Sequence, residues 1–327
     1  MSRVLVTGGT GTIGSAVVSR LLSDSRWEVR VADYRRPPLW MREGCEIHTT
    51  DLRDSAAANA AVDGCSHVIH LAAIVGGIAN FHKLPFTLTE VNNALTGAIV
   101  HAAVNLDVER LVYVSSSMVF ERATEFPTTE EHLADCLTPR SAYGFSKLAG
   151  EVYTRAAHDQ HGLSYTICRP FNAYGPGELP DADEPGIAHA VPDLIHKALT
   201  GRRPLEIFGS GEQSRTITHV DDIADGIVTA MASPAGENED FNISASQELT
   251  VAELARLIWE ACGNDPAEFE LRHLDSFDVD VQRRWPSVEK ARRLLGWEAR
   301  VDVRAGLAET VAWLRDQERE ATVNSSR

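Results

Sequence analysis

The chain has 327 residues, 43% of them hydrophobic, enough for one large core or two closely joined ones. Its 47 acidic residues outnumber 31 basic ones, a formal net charge of -16, so its surface repels a polyanion and nucleic acid is not expected as a partner. No apolar run approaches the ~20 residues of a membrane span. The five cysteines (Cys45, Cys65, Cys136, Cys168, Cys262) are scattered and the twelve histidines form no ligand pair, so neither membrane segment, disulfide framework nor metal site is expected.

The chain enters a strand at once, Arg3-Val-Leu-Val, leaving no signal peptide, and the protein is expected in the cytoplasm. That strand runs into Gly8-Gly-Thr-Gly11-Thr12-Ile13-Gly14 and then a helical pattern, Ser15 to Leu22. A glycine turn between strand and helix lets backbone amides approach a pyrophosphate at the positive end of the helix. The second strand, Glu28 to Ala32, ends at Asp33, placed about 20 residues after the glycines, where an acid accepts hydrogen bonds from a ribose. A carboxylate there repels a 2'-phosphate and favours NAD over NADP, while Arg35 and Arg36 pull the other way. A third strand leads to Asp51, Leu52 and Asp54, at the adenine edge. A fourth, His67 to His70, ends in Leu71-Ala72-Ala73, small enough for a flat cofactor to lie against the backbone.

Helical residues from Asn92 to Asn105 precede another strand, Arg110 to Val114, and three serines, Ser115 to Ser117. Strands alternating with helices predict an α/β fold, a doubly wound parallel sheet of Rossmann type with ligands at the carboxyl ends of its strands. A smaller α/β substrate-binding C-terminal domain should follow. The expected division is 1–171 for the dinucleotide-binding domain, with 220–244 returning to it, 172–219 and 245–318 for the second domain, and 319–327 as a disordered tail.

Tyr143 and Lys147 are four residues apart in a helical stretch, which stacks phenol and ammonium on one face. A fixed cation within a few ångströms favours the phenolate, and such a pair takes a proton from an alcohol while a hydride leaves its carbon.

The ordered set Thr7-Gly8-x-x-Gly11-x-x-Gly14, Asp51-Leu-x-Asp54, His70-Leu-Ala-Ala73, Ser115-Ser-Ser-Met-Val-Phe and Tyr143-x-x-x-Lys147 resembles the extended short-chain dehydrogenase/reductase superfamily. Within it the likeness is to the NAD-dependent nucleotide-sugar epimerases and dehydratases. It continues through Arg169-Pro-Phe-Asn172-Ala-Tyr-Gly-Pro176, Arg215-Thr-Ile-Thr-His219-Val-Asp-Asp222 and Arg284-Trp-Pro-Ser-Val-Glu-Lys290-Ala, covering residues 3 to 315. The resemblance implies Tyr143 as general base, Lys147 lowering its pKa and holding the nicotinamide ribose, and Ser116 bonding the reacting sugar oxygen, with Ser117 as second choice. It implies Asn92 as support of the cofactor site, Asn172 and Arg215 on the substrate diphosphate, and Arg283 or Arg284 as a second clamp, Arg283 being preferred. It further implies a homodimer pairing through helices near 92–104 and 144–158.

Position 118 is the informative departure. Family dehydratases carry an acid two places after the reactive serine or threonine, and the fucose-synthase-like and mannose 3,5-epimerase-like enzymes carry a cysteine. Met118 does the work of neither. The loop Ala73-Ile-Val-Gly76-Gly77-Ile nevertheless resembles that of the 3,5-epimerising enzymes. Weighted by chemistry, the resemblance implies a nucleotide-diphosphate sugar epimerised at C4 through a transient ketone. A nucleotide-sugar dehydrogenase or keto-reductase, a 3,5-epimerase, and a non-catalytic dinucleotide-sensing regulator are the alternatives.

Overall fold

The computed structural model describes residues 2–75, 83–180, 188–276 and 281–325, with side chains to Arg319. Its centre is a sheet of seven strands: β1 (Ser2–Thr7), β2 (Trp27–Asp33), β3 (Glu46–Thr49), β4 (His67–His70), β5 (Arg110–Val114), β6 (Tyr165–Pro170) and β11 (Glu239–Ile243). All are parallel, in the order β3-β2-β1-β4-β5-β6-β11. Chain order reverses between β1 and β4, the switch point outside which such sheets leave a crevice.

Parallel strands buried on both faces are apolar throughout, and Val4, Leu5 and Val6 of β1 are all fully buried. On one face α1 (Thr12–Leu22) and α7 (Val220–Ala232) pack over Val4, Val6, Val31 and Phe241. On the other lie α3 (Ser55–Val62), α4 (Pro85–Asn105) and α5 (Ala142–His161), over Leu5, Val68 and Leu111. The short α2 (Leu39–Gly44) lies between β2 and β3. Helix α4 begins earlier than the Asn92 read from the sequence, with Pro85 in its first turn, where a missing N–H costs nothing.

The second half has no large sheet. It pairs β7 (Ala173–Tyr174) with β10 (Thr218–His219), β8 (Leu205–Phe208) with β13 (Leu271–Leu274), and β9 (Ser214–Thr216) with both β12 (Glu248–Thr250) and β14 (Arg283–Arg284). Helices α6 (Ala190–Leu199), α8 (Val251–Ala261) and α10 (Val303–Ser325) enclose a separate core of Leu194, Ile207, Ile258, Trp259 and Leu307, while α9 (Glu289–Leu295) packs on β11. Helix α10 runs past Arg319, where a disordered tail was expected. Its earlier turns are held by Leu307, Val311 and Leu314 in the second core, and the helix propagates from them.

Candidate functional site

The glycine turn is shaped by contact. Gly8 has φ +69, and a Cβ there would stand 2.8 Å from the Ala72 backbone; a Cβ on Gly14 would strike the carbonyl of Gly8. Gly11 caps α1 without a side-chain hydrogen bond, so no cap competes for the amides opening the helix at Thr12, Ile13 and Gly14, an arrangement suited to an anion. Asp33, 4% exposed, holds the turn: its Oδ2 accepts Thr10 N and Oγ1 at 3.1 and 2.6 Å, and its Oδ1 accepts Arg35 N at 3.0 Å. Arg35 Nε stands 3.8 Å from the same carboxylate. Asp51 is exposed and paired with Arg53 at 2.6 Å, beside the buried Leu52.

At the end of β4, the amides of Leu71 and Ala72 both donate to Thr7 Oγ1 at 3.2 Å, next to the half-buried Ala73. Burial and the Lys147 charge drive His70 down to about 3, so its ring is a neutral partner of Thr7 at 2.8 Å. Asn92 is spent on positioning: it accepts from Ile74 N at 2.7 Å and donates to Ile74 O at 3.0 Å and Ser146 Oγ at 3.3 Å, tying α4 and α5 to the cofactor loop. The Gly76-Gly77 resemblance lies outside the described residues.

The candidate catalytic groups converge on the start of α5. Ser141 caps this helix by accepting Gly144 N at 3.1 Å, and Glu121 anchors the cap by accepting the Ser141 amide and hydroxyl. Tyr143 is 8% exposed and packs against Met118 and Leu88; its phenol is hydrogen-bonded to Ser116. Ser117 is buried one residue further on, in a single turn of 3₁₀ helix, while Ser116 is the half-buried residue that caps that turn.

The charge arrangement differs from the Tyr/Lys expectation. Burial pushes Tyr143 up to about 12, and what pulls it back is the Ser116 hydrogen bond and the charge of Arg284. Lys147 instead donates to Val114 O at 2.8 Å and lies 5.4 Å over the Tyr113 ring; burial brings it down to about 8 against the Glu151 charge. With the protein's own groups alone around it, the phenol is therefore protonated near neutral pH, because desolvation outweighs the cations within reach.

The second half supplies the arginines. Arg215 and Arg284 are register partners on β9 and β14 and share one face of that small sheet. Arg284 donates to Asn172 Oδ1 and Met118 Sδ, both at 2.9 Å, which puts it at Tyr143's edge. Arg283, the clamp preferred from the sequence, points the other way. It is exposed, paired with Glu248 at 2.7 Å, and stacked between Phe126 and Trp285. The correction has a simple cause: neighbours on a strand face opposite sides, and parity cannot be read from a two-residue strand. The segment is fixed from the first half, where Thr128 N donates to Trp285 O and Ser287 N donates back to Thr128 O, each at 2.8 Å.

Asn172 holds φ +38 and donates to Thr216 O at 2.7 Å, turning the chain so that Gly177 rests against Thr12 at the cofactor helix. At the rim, Glu178 binds His189 through Nδ1 at 2.8 Å, a pairing the sequence did not signal. Among the described residues, ligand atoms of His219, Asp221 and Glu309 come within 4.8 Å of one another. His219 Nδ1 already accepts the Asp221 amide as the cap of α7, which leaves the ring proton on Nε2, towards Glu309.

A glycine turn on the first strand, a switch-point crevice and a serine-bound tyrosine one helical turn from a buried lysine define a dinucleotide-dependent enzyme of the Rossmann class. Residues 4–244 match the model of the NAD dependent epimerase/dehydratase family. The chain is 32% identical over 324 residues to a UDP-glucose 4-epimerase of Mycolicibacterium smegmatis, covering 96% of this chain and 99% of that protein. Among solved structures it is similar to the UDP-glucose 4-epimerase of Thermotoga maritima with UDP-glucose (TM-score 0.85, 28% identity, 97% and 99% of the two chains). It is likewise similar to the Thermus thermophilus UDP-glucose 4-epimerase in complex with NAD (TM-score 0.82, 27% identity, 96% and 99%). The chain belongs to the NAD-dependent epimerase/dehydratase family, and its cofactor is NAD.

Proposed function

We infer that this protein epimerises a nucleotide-diphosphate sugar at C4, with NAD kept through the cycle. The observation that carries the reading is Met118. It stands against Tyr143 and Arg284, 6% exposed, where a dehydratase needs an acid to expel water and a 3,5-epimerase needs a base for a second carbon. A thioether neither gives nor takes a proton, so the chemistry left is reversible oxidation at one carbon.

The amides at Thr12 to Gly14 would hold the NAD pyrophosphate, with Asp33 and Arg35 bordering its adenosine ribose, Asp51 and Leu52 its adenine, and Leu71 to Ala73 its nicotinamide side, while the Gly11 amide closes the turn on Gly8 O at 3.1 Å. When bound, NAD supplies the hydride acceptor and donor, and its positive ring adds to the charge favouring a phenolate. Tyr143 takes the proton of the C4 hydroxyl as the C4–H bond breaks and C=O forms, then returns it to the oxygen after the sugar has turned over. Ser116 holds that oxygen, and Lys147, buried one helical turn beyond Tyr143, holds the nicotinamide ribose. Asn172, Arg215 and Arg284 bind the diphosphate while the sugar turns.

The relatives named above act on UDP-glucose, which makes UDP-sugars the first substrates to test. Incubation with UDP-, GDP- and dTDP-sugars without reductant should give new C4 isomers with no net change in NAD redox state. Stoichiometric NADH would favour the dehydrogenase reading. The protein works as a homodimer, supported by Phe145, Val152 and Tyr153 standing 44%, 60% and 48% exposed on α5. Val152→Glu should convert it to monomer in light scattering. Its place is the cytoplasm: five free thiols suit a reducing compartment, and no described helix is long and apolar enough to cross a membrane. Cell fractionation checks this.

A further inference from the structure

Helix α5 carries an acid one turn beyond Lys147 that the reaction above does not use. Glu151 is fully buried. Its Oε1 accepts Ser115 Oγ at 2.7 Å and Arg169 Nε at 2.8 Å, and its Oε2 accepts Arg169 Nη2 at 2.7 Å and Arg155 Nη1 at 3.0 Å. Arg169, also fully buried, passes on to Asp240 at 2.7 Å, which accepts Lys290 Nζ at the same distance. A carboxylate survives at this depth because it is multiply bonded to opposite charge.

Two groups on one helix face thereby grip two successive residues at the end of β5. Lys147 takes the Val114 carbonyl and Glu151 takes the Ser115 hydroxyl. Ser115 N still donates to Cys168 O at 2.8 Å, but the next residue, Ser116, lies beyond the paired strand in extended backbone. Ser116 is thus held from two sides: after it Met118 N donates to its hydroxyl and Val119 N to its carbonyl, each at 3.2 Å, and before it the anchoring of Val114 and Ser115 sets where that turn begins.

We propose that Glu151 is a positioning residue for the reaction, fixing Ser116 against the Tyr143 phenol through the Ser115 hydroxyl. This rests on the reading of Ser116 and Tyr143 as the reacting pair. A shift of about 1 Å in a reacting group costs a factor on the order of 100 in rate, so a hydroxyl that prevents such a shift matters without touching substrate.

The test uses Ser115→Ala and Glu151→Gln in the NAD-loaded protein. Ser115→Ala removes one small buried hydroxyl and leaves the Glu151–Arg169 pair intact. Its kcat should fall about tenfold or more while KM stays within about twofold, since substrate is held from the second half. Glu151→Gln removes the charge facing Lys147, whose other neighbours are Tyr113 of β5 and neutral His70 of β4. The alkaline limb of its pH profile should move to lower pH, which in Ser115→Ala stays in place. Wild-type kcat in Ser115→Ala, or a lower Tm with kcat per folded molecule unchanged, overturns the proposal; should Glu151→Gln not fold, Ser115→Ala decides alone. If the wild-type chain isomerises no sugar, the activity reading has failed separately. NAD-bound crystal structures then judge the positioning: Ser116 Oγ should leave the phenol in Ser115→Ala, and an unmoved Ser116 refutes it.

Discussion

The glycine turn after β1 and the arginine pair on β9 and β14 both suit an anion, by opposite means. At the turn the donors are backbone amides at the open end of an eleven-residue helix, with no side-chain cap competing for them. Across the cleft the donors are guanidinium groups on strands of three and two residues, 69 positions apart in the chain (284 minus 215). The first site depends on the absence of side chains at Gly8 and Gly14, the second on which face of a short strand a side chain takes. Backbone recognition therefore leaves a spaced sequence signature, and side-chain recognition leaves one that a single residue of slippage erases.

That contrast can be broken at several points. Tyr143 lies outside both anion sites, so Tyr143→Phe should cost about 1,000-fold in kcat while NAD and nucleotide sugar still bind, measured by turnover and by retained cofactor absorbance. Gly14→Ala tests the backbone end: its methyl group meets the Gly8 carbonyl, and NAD affinity should fall on the order of 100-fold in equilibrium dialysis. Arg284→Ala tests the side-chain end, with KM for the nucleotide sugar rising roughly 10- to 100-fold and NAD binding unchanged.

Smaller effects sharpen the comparison. Asp240 links β11 to α9 through Lys290, and the surrounding cations, Arg169 foremost, hold its carboxyl at about 2 against the opposing effect of burial. Its folded pKa lies below the unfolded one, so its stabilisation is fully present above about pH 4 and fades as pH falls towards 2. In urea unfolding, Asp240→Asn should lose about 2 kcal/mol at pH 7 and flatten the acid limb. Arg283→Ala should change KM by less than about twofold, because an exposed pair contributes little. An effect as large as that of Arg284→Ala would reverse the assignment made from strand parity.

Much of the site was legible because its chemistry is local. Gly8, Gly11 and Gly14 lie within one turn, Tyr143 and Lys147 within one helical turn, and Ser116 at the end of an apolar strand. Glu151 carried a readable signal, since it follows Lys147 by four residues on the same face, yet its partners Ser115, Arg169 and Asp240 come from three other segments. The sense of the Tyr143 shift was not legible. Spacing shows that a cation is near, while burial and where that cation donates decide which effect wins.

By itself the amino-acid order determined the doubly wound sheet, the glycine turn and the candidate trio Ser116, Tyr143 and Lys147, because periodicity and short-range spacing are properties of adjacent residues. Only the tertiary structure decided that Arg284 rather than Arg283 faces Tyr143, that Asn92 positions a loop, and that a buried charge network stands behind Ser115. Each of those depends on which distant segments pack together and on how much water that packing removes, quantities that no local pattern encodes.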